Sequence, residues 1–158
     1  MTVDTSHMTP AADLIGEDEV ETKEIRTLVG QAREFVGGFD WCKSIEEIYS
    51  GIAVPGVIGV FLMRIIPEGE NVDHEIWAIV GDLPPAYLVT DNAPNAVRAV
   101  EVYVDLMQEW IDAVKGGRAV EDLIPVNAPP SEEAARILQS RLDFLMKRIV
   151  ATYRDEID

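Results

Sequence analysis

The stretch Gly51 to Pro84, GIAVPGVIGVFLMRIIPEGENVDHEIWAIVGDLP, decides how the rest of the chain must fold. It contains the two most apolar runs, Val57–Ile66 and Ile76–Val80, with a polar, acidic connection between them. Val57–Ile66 is rich in β-branched residues and stops at Pro67, which predicts a strand. Glu75–Val80 predicts a second strand, ended by Gly81-Asp82 and Pro84-Pro85. Gly69 and Asn71 in the connection suit a hairpin loop.

Upstream, Val54-Pro55-Gly56-Val57 has Pro and Gly where a type II turn needs them. The segment before that turn reads two ways. Ser44 and Glu47 have capping-box spacing, and Ile45, Ile48, Tyr49 and Ile52 fit a helical face. The same residues are β-branched or aromatic, and a turn leading into a strand favours a hairpin. Glu46–Ala53 is therefore expected to be a strand, and Ala86–Thr90 offers a short fourth. Loops this short favour an antiparallel meander over parallel crossovers.

Helical spacing flanks this region. Ile25, Leu28, Val29, Ala32, Phe35 and Val36 form an apolar stripe, led by Glu17, Asp18, Glu19 and Glu21 and closed by Gly37-Gly38. After Asn92-Ala93-Pro94-Asn95, apolar residues recur from Val97 through Tyr103, Met107, Trp110 and Ile111 to Val114. Ser131 caps a last helix with the expected buried stripe Ala134, Ile137, Leu138, Leu142, Leu145, Ile149 and Tyr153. The expected architecture is a single α+β domain over residues 17–158. It has a three- to four-stranded antiparallel meander packed by three long helices in two layers, with residues 1–16 as a mobile tail.

The 158 residues carry a net charge of −16. Residues 65–113 hold ten acids against the single base Arg98, a local charge of −9, whereas residues 131–158 sum to −1. This field repels nucleic-acid phosphates and anionic lipid and attracts basic proteins. No apolar run is long enough for a membrane span, and the first residues lack the basic start and apolar core of a secretory signal. Cys42 is the only cysteine, so neither an intrachain disulfide nor a cysteine-based zinc site can form. A cytoplasmic protein follows from this composition.

Motifs for chemistry are sparse. No nucleophile elbow, P-loop or dinucleotide fingerprint occurs. Cys42 lies between Trp41 and Lys43, but a buried structural thiol explains it better than a nucleophile. Asp73-His74-Glu75 could serve a metal-dependent or small-molecule-binding enzyme, although its spacing matches no standard metal loop. No cofactor and no metal are expected.

The strings VPGVIGVFL (54–62), GDLPPAYL (81–88) and LIPVN (123–127) resemble an uncharacterised bacterial protein family, over roughly Trp41 to Tyr153. The resemblance implies bacterial origin and brings no activity or site residue with it.

By elimination the leading expectation is an acidic binding module that engages a basic protein, in the manner of an immunity- or antitoxin-like inhibitor. Glu68, Glu70, Asp73, Glu75 and Asp82 are expected to gather at one sheet end, with Leu83 and Tyr87 presented by the double-proline loop. An alternative is a homo-oligomer, a homodimer in the simplest case, whose long helices pair through Tyr103, Met107 and Trp110.

Overall fold

The computed structural model describes residues 3–69 and 74–157, with side chains to residue 154. Five strands form one antiparallel sheet in the order β1-β2-β3-β4-β5, so the chain is an α+β domain built on a meander. They are β1 (Thr9–Pro10), β2 (Cys42–Val54), β3 (Ile58–Pro67), β4 (Glu75–Gly81) and β5 (Ala86–Val89). The helices are α1 (Glu19–Gly37), α2 (Ala96–Lys115) and α3 (Glu132–Phe144). The last continues through a π-helical stretch, Leu145–Val150, into α4 (Ala151–Ile157).

The layering differs from the expected two. α1 covers one face of the sheet, while α2 and the α3–α4 rod cover the other. Along β3, Val60 and Leu62 pack beneath α2, while Phe61, Met63 and Ile65 pack beneath α1. Along β4, Trp77 and Ile79 alternate in the same way with Ile76, Ala78 and Val80. Side chains alternate across a strand, so a strand covered on both faces must be apolar at every position. That is why Val57–Met63 and Ile76–Val80 are unbroken apolar runs; Arg64 enters only towards the hairpin end, where it pairs with Glu75.

β2 resolves the ambiguity of its sequence in favour of a strand, and its register explains the helical look. The pairing with β3 skips a residue at Lys43, Glu46 and Gly51. Each such bulge opposes two residues to one and breaks the two-residue period. Ile45 and Ile48 therefore sit three apart yet face the same way, opposite Ile65 and Met63; Tyr49 and Ile52 do likewise, opposite Leu62 and Val60. Ser44 caps nothing, and its hydroxyl instead lies 3.3 Å from the Glu46 carboxylate. At Gly51 a Cβ would collide with Ala96 at the start of α2, so this bulge lets the helix approach the sheet.

The turn at Val54–Val57 has Gly56 at φ +72° and a 3.0 Å bond from the Val57 amide to the Val54 carbonyl, as a type II turn requires. Asp18, Asn95 and Ser131 cap α1, α2 and α3, each accepting from a backbone amide three residues on. The stripe of α3 is rotated from expectation: Ala135 is buried in place of Ala134, and Ile137 is 44% exposed.

Residues 3–16, expected as a tail, lie against the sheet. Val3 is buried and its amide donates to Glu75 Oε1 at 3.0 Å; β1 pairs with Tyr49–Ser50; Arg26 reaches the Ala11 and Ala12 carbonyls at 2.8 and 3.0 Å. Among the described residues no helix is long and apolar enough to cross a membrane.

Candidate functional site

The expected acids do not form one cluster. β3 and β4 are antiparallel, with Arg64 opposite Glu75 at the hairpin end and Ile58 opposite Gly81 at the other. Glu68 and Glu75 therefore belong to one end of the sheet and Asp82 to the other, roughly 23 Å away by strand rise. Glu70 and Asp73 lie outside the described residues.

The carboxylates that are described have different occupations. Glu75 is only 11% exposed at its side chain, accepting from Arg64 Nε at 2.9 Å and from the Val3 amide, so both oxygens serve the fold. Arg64 also reaches Glu47 at 3.4 Å and lies over the Tyr49 ring, 5.3 Å from its centroid. Asp82 is 66% exposed and pairs with Arg141 at 3.1 Å, while Arg141 Nε also holds the Asp82 carbonyl at 2.9 Å. Glu68 is exposed, and its amide donates to the Trp41 carbonyl at 2.7 Å.

That last bond places Glu68 beside a feature that the sequence reading missed. Phe35, Phe39, Trp41 and Tyr87 pack as one aromatic group. Phe39 stacks on Trp41 with centroids 5.1 Å apart and planes at 17°. Tyr87 meets Phe39 at 5.1 Å, edge to face, and Trp41 at 4.9 Å; Phe35 closes the group against Phe39 at 5.2 Å.

Local structure sets this up in three steps. The end of α1 turns at Gly37-Gly38, with the Phe39 amide returning to the Val36 carbonyl and that of Cys42 to the Phe39 carbonyl. The turn brings Phe39 and Trp41 back beside Phe35. Tyr87 then reaches them from β5, where it pairs with Ala78, whose small side chain leaves room on the α1 face. Centroids about 5 Å apart suit mutual ring packing and leave no gap for a cation between rings. The group is a solid apolar surface, with Tyr87 39% and neighbouring Val89 43% exposed. The only sequence signal was Phe39 and Trp41 two apart after a glycine pair; the approach of Tyr87, 46 residues from Trp41, is a tertiary contact.

Phe35 links these rings to an open groove of about 490 Å³ lined by Gln31, Glu34, Phe35, Val80, Gly81, Leu83, Pro85 and Asn127. Leu83, expected as a presented side chain, is half-buried between this groove and the core. A neighbouring depression continues past Glu24, Thr27 and Gln31 to Gly56 and Asp82. Its wall needs Gly81, at φ +134°, where a Cβ would run into the Val57 carbonyl.

The other candidates offer less chemistry. Cys42 is buried, and desolvation raises its thiol pKa, which disfavours a thiolate nucleophile. His74 is exposed, its neighbour Glu75 is engaged, and no group of three His, Cys, Asp or Glu among the described residues could hold a metal ion. Among the described residues no buried side-chain nitrogen or oxygen lacks a hydrogen-bond partner. Tyr103, Met107 and Trp110, offered above as a face shared between copies, are at most 2% exposed and lie inside the domain, so they cannot pair subunits. Comparison with known proteins found no matching family model, no matching curated protein and no matching solved structure.

Proposed function

We propose that this chain is an acidic protein-binding module that engages a basic protein, as immunity- and antitoxin-type inhibitors do. The observation that carries the reading is the half-exposed aromatic group Phe35–Phe39–Trp41–Tyr87, set among acids in a chain of charge −16. Glu34 and Asp40 adjoin the rings in sequence, and Glu68 is tied to Trp41. Aromatic side chains at the centre of a patch supply binding energy, while charges at its rim accelerate encounter and select the partner's sign. Of the residues first singled out, Tyr87 and Glu68 belong to this surface, Leu83 lines the adjoining groove, Asp82 lines the depression next to it, and Glu75 is engaged elsewhere by Arg64 and Val3. A cytoplasmic setting goes with this reading and rests on the lone buried thiol.

The test is affinity capture from bacterial lysate with the wild-type chain and with Tyr87→Ala, Trp41→Ala and Glu68→Lys variants. The expected result is one basic protein retained at low salt, released by a salt step, and lost with either aromatic variant. Retention that ignores both salt and the aromatic substitutions would refute the reading.

A further inference from the structure

The two edges of the sheet are built differently. β1 is two residues long and includes Pro10, which has no amide to offer an incoming strand. β5 has the sequence Ala86-Tyr87-Leu88-Val89, with no charge, proline or bulge in its regular pairing with Ile76–Ile79. Among the described residues, backbone hydrogen bonds to β5 come from β4 alone. Exposed edges in natural proteins are usually blunted by lysines, prolines or bulges, because unpaired backbone groups recruit other strands. Tyr87 and Val89, 39% and 43% exposed beside the aromatic surface, form a short, open template, while Ala86 and Leu88 are buried in the core.

We infer that β5 is where the partner docks, through an extended lysine- or arginine-bearing segment that adds to the sheet as a sixth strand. The inference rests on the basic-partner reading above and names its mode of contact. Charge chooses the occupant. A second copy of this chain would bring another −16 to the same edge, whereas a basic segment enters an attractive field. Backbone hydrogen bonds along the edge would supply affinity. Alternate side chains of the added strand would lie beside Tyr87 and Val89, extending the aromatic surface. Pro84-Pro85 and Asp91 bound the available edge, so the ladder spans about five residues at most.

The probe is an eight-residue peptide of alternating lysine and valine, added to the full chain at low salt while amide hydrogen exchange is followed by residue. Two controls accompany it: a lysine–proline peptide of the same charge, which adopts polyproline II geometry, and a glutamate–valine peptide. The expected result is exchange slowed at least tenfold at β5 amides by the lysine–valine peptide alone, and abolished by Val89→Lys at an already exposed position. If both lysine peptides bind in a salt-sensitive way without protecting β5, strand addition is overturned while the basic-partner reading stands. If neither lysine peptide binds, both are overturned.

Discussion

The two faces of the sheet put the same kinds of side chain to opposite uses. Between the sheet and α2 and α3, Trp77 of β4 and Tyr103 and Trp110 of α2 are buried, and the polar atoms of the first two are satisfied. Trp77 Nε1 donates to the Ala93 carbonyl at 2.8 Å and Tyr103 Oη to the Pro84 carbonyl at 2.7 Å. On the other face a single helix, α1, leaves Phe35, Phe39, Trp41 and Tyr87 half-covered. Aromatic content alone cannot separate a core from an interface. Coverage does, and coverage depends on how many helices each face receives.

This contrast breaks most directly at Trp77. Trp77→Ala removes a large buried side chain and leaves the Ala93 carbonyl unpaired, and should cost about 3–5 kcal/mol in urea unfolding. If it costs no more than Tyr87→Ala, the two faces are not distinct. Gly81→Ala comes next, because it combines positive φ with a clash against Val57, and should lose about 1–3 kcal/mol with the surrounding groove deformed. A wild-type melting temperature in that variant would show that the loop relaxes freely.

Tyr103→Phe should cost about 1 kcal/mol at neutral pH through the lost bond to Pro84. It also has a pH signature. Burial raises the Tyr103 phenol pKa, so the folded state keeps its proton where the unfolded chain, with a pKa of about 10, releases it. That contribution to stability is complete below about pH 10 and falls as pH rises above it, since the unfolded state then binds fewer protons. The alkaline loss should be shallower in Tyr103→Phe, and an identical slope would exclude Tyr103 as its source.

On the other face, Tyr87→Ala should change stability by only about 0.5–1 kcal/mol, the scale of aromatic contacts at a half-exposed site, while abolishing partner capture. The smallest effect belongs to Asp82→Asn. Its exposed pair with Arg141 should be worth less than about 0.5 kcal/mol, as measured by unfolding with and without salt.

Much of this fold was legible in local chemistry. Pro55-Gly56, Pro67 and Pro84-Pro85 punctuated the strands, the acids from Glu17 to Glu21, the run Asn92-Ala93-Pro94-Asn95 and Ser131 marked the helix starts, and strongly apolar runs identified the central strands. Those runs also signalled a sheet covered on both faces, which an expectation of two layers passed over. β2 was readable only in part, because bulges at Lys43, Glu46 and Gly51 turn a strand's period into something close to a helix's. The rotated stripe on α3 has a similar origin: several faces of that helix carry apolar residues, and packing against α2 selected one of them.

The candidate site was less legible. Net charge and the acidic middle segment belong to the sequence and need no fold. Which acids are free to meet a partner does not follow from sequence. Glu75 is held by Arg64 and Val3, Asp82 sits at the far end of the sheet, and Glu68 is placed beside Trp41 by a backbone bond. The aromatic surface joins residues 35–41 to residue 87, and the open edge exists because β5 is the last strand of the meander. Sequence by itself determined the elements, their punctuation and the sign of the field, because these depend on neighbours along the chain. Only the tertiary structure decided which aromatics were buried, which carboxylates were engaged and which strand kept a free edge, because each depends on residues brought together from distant parts of the chain.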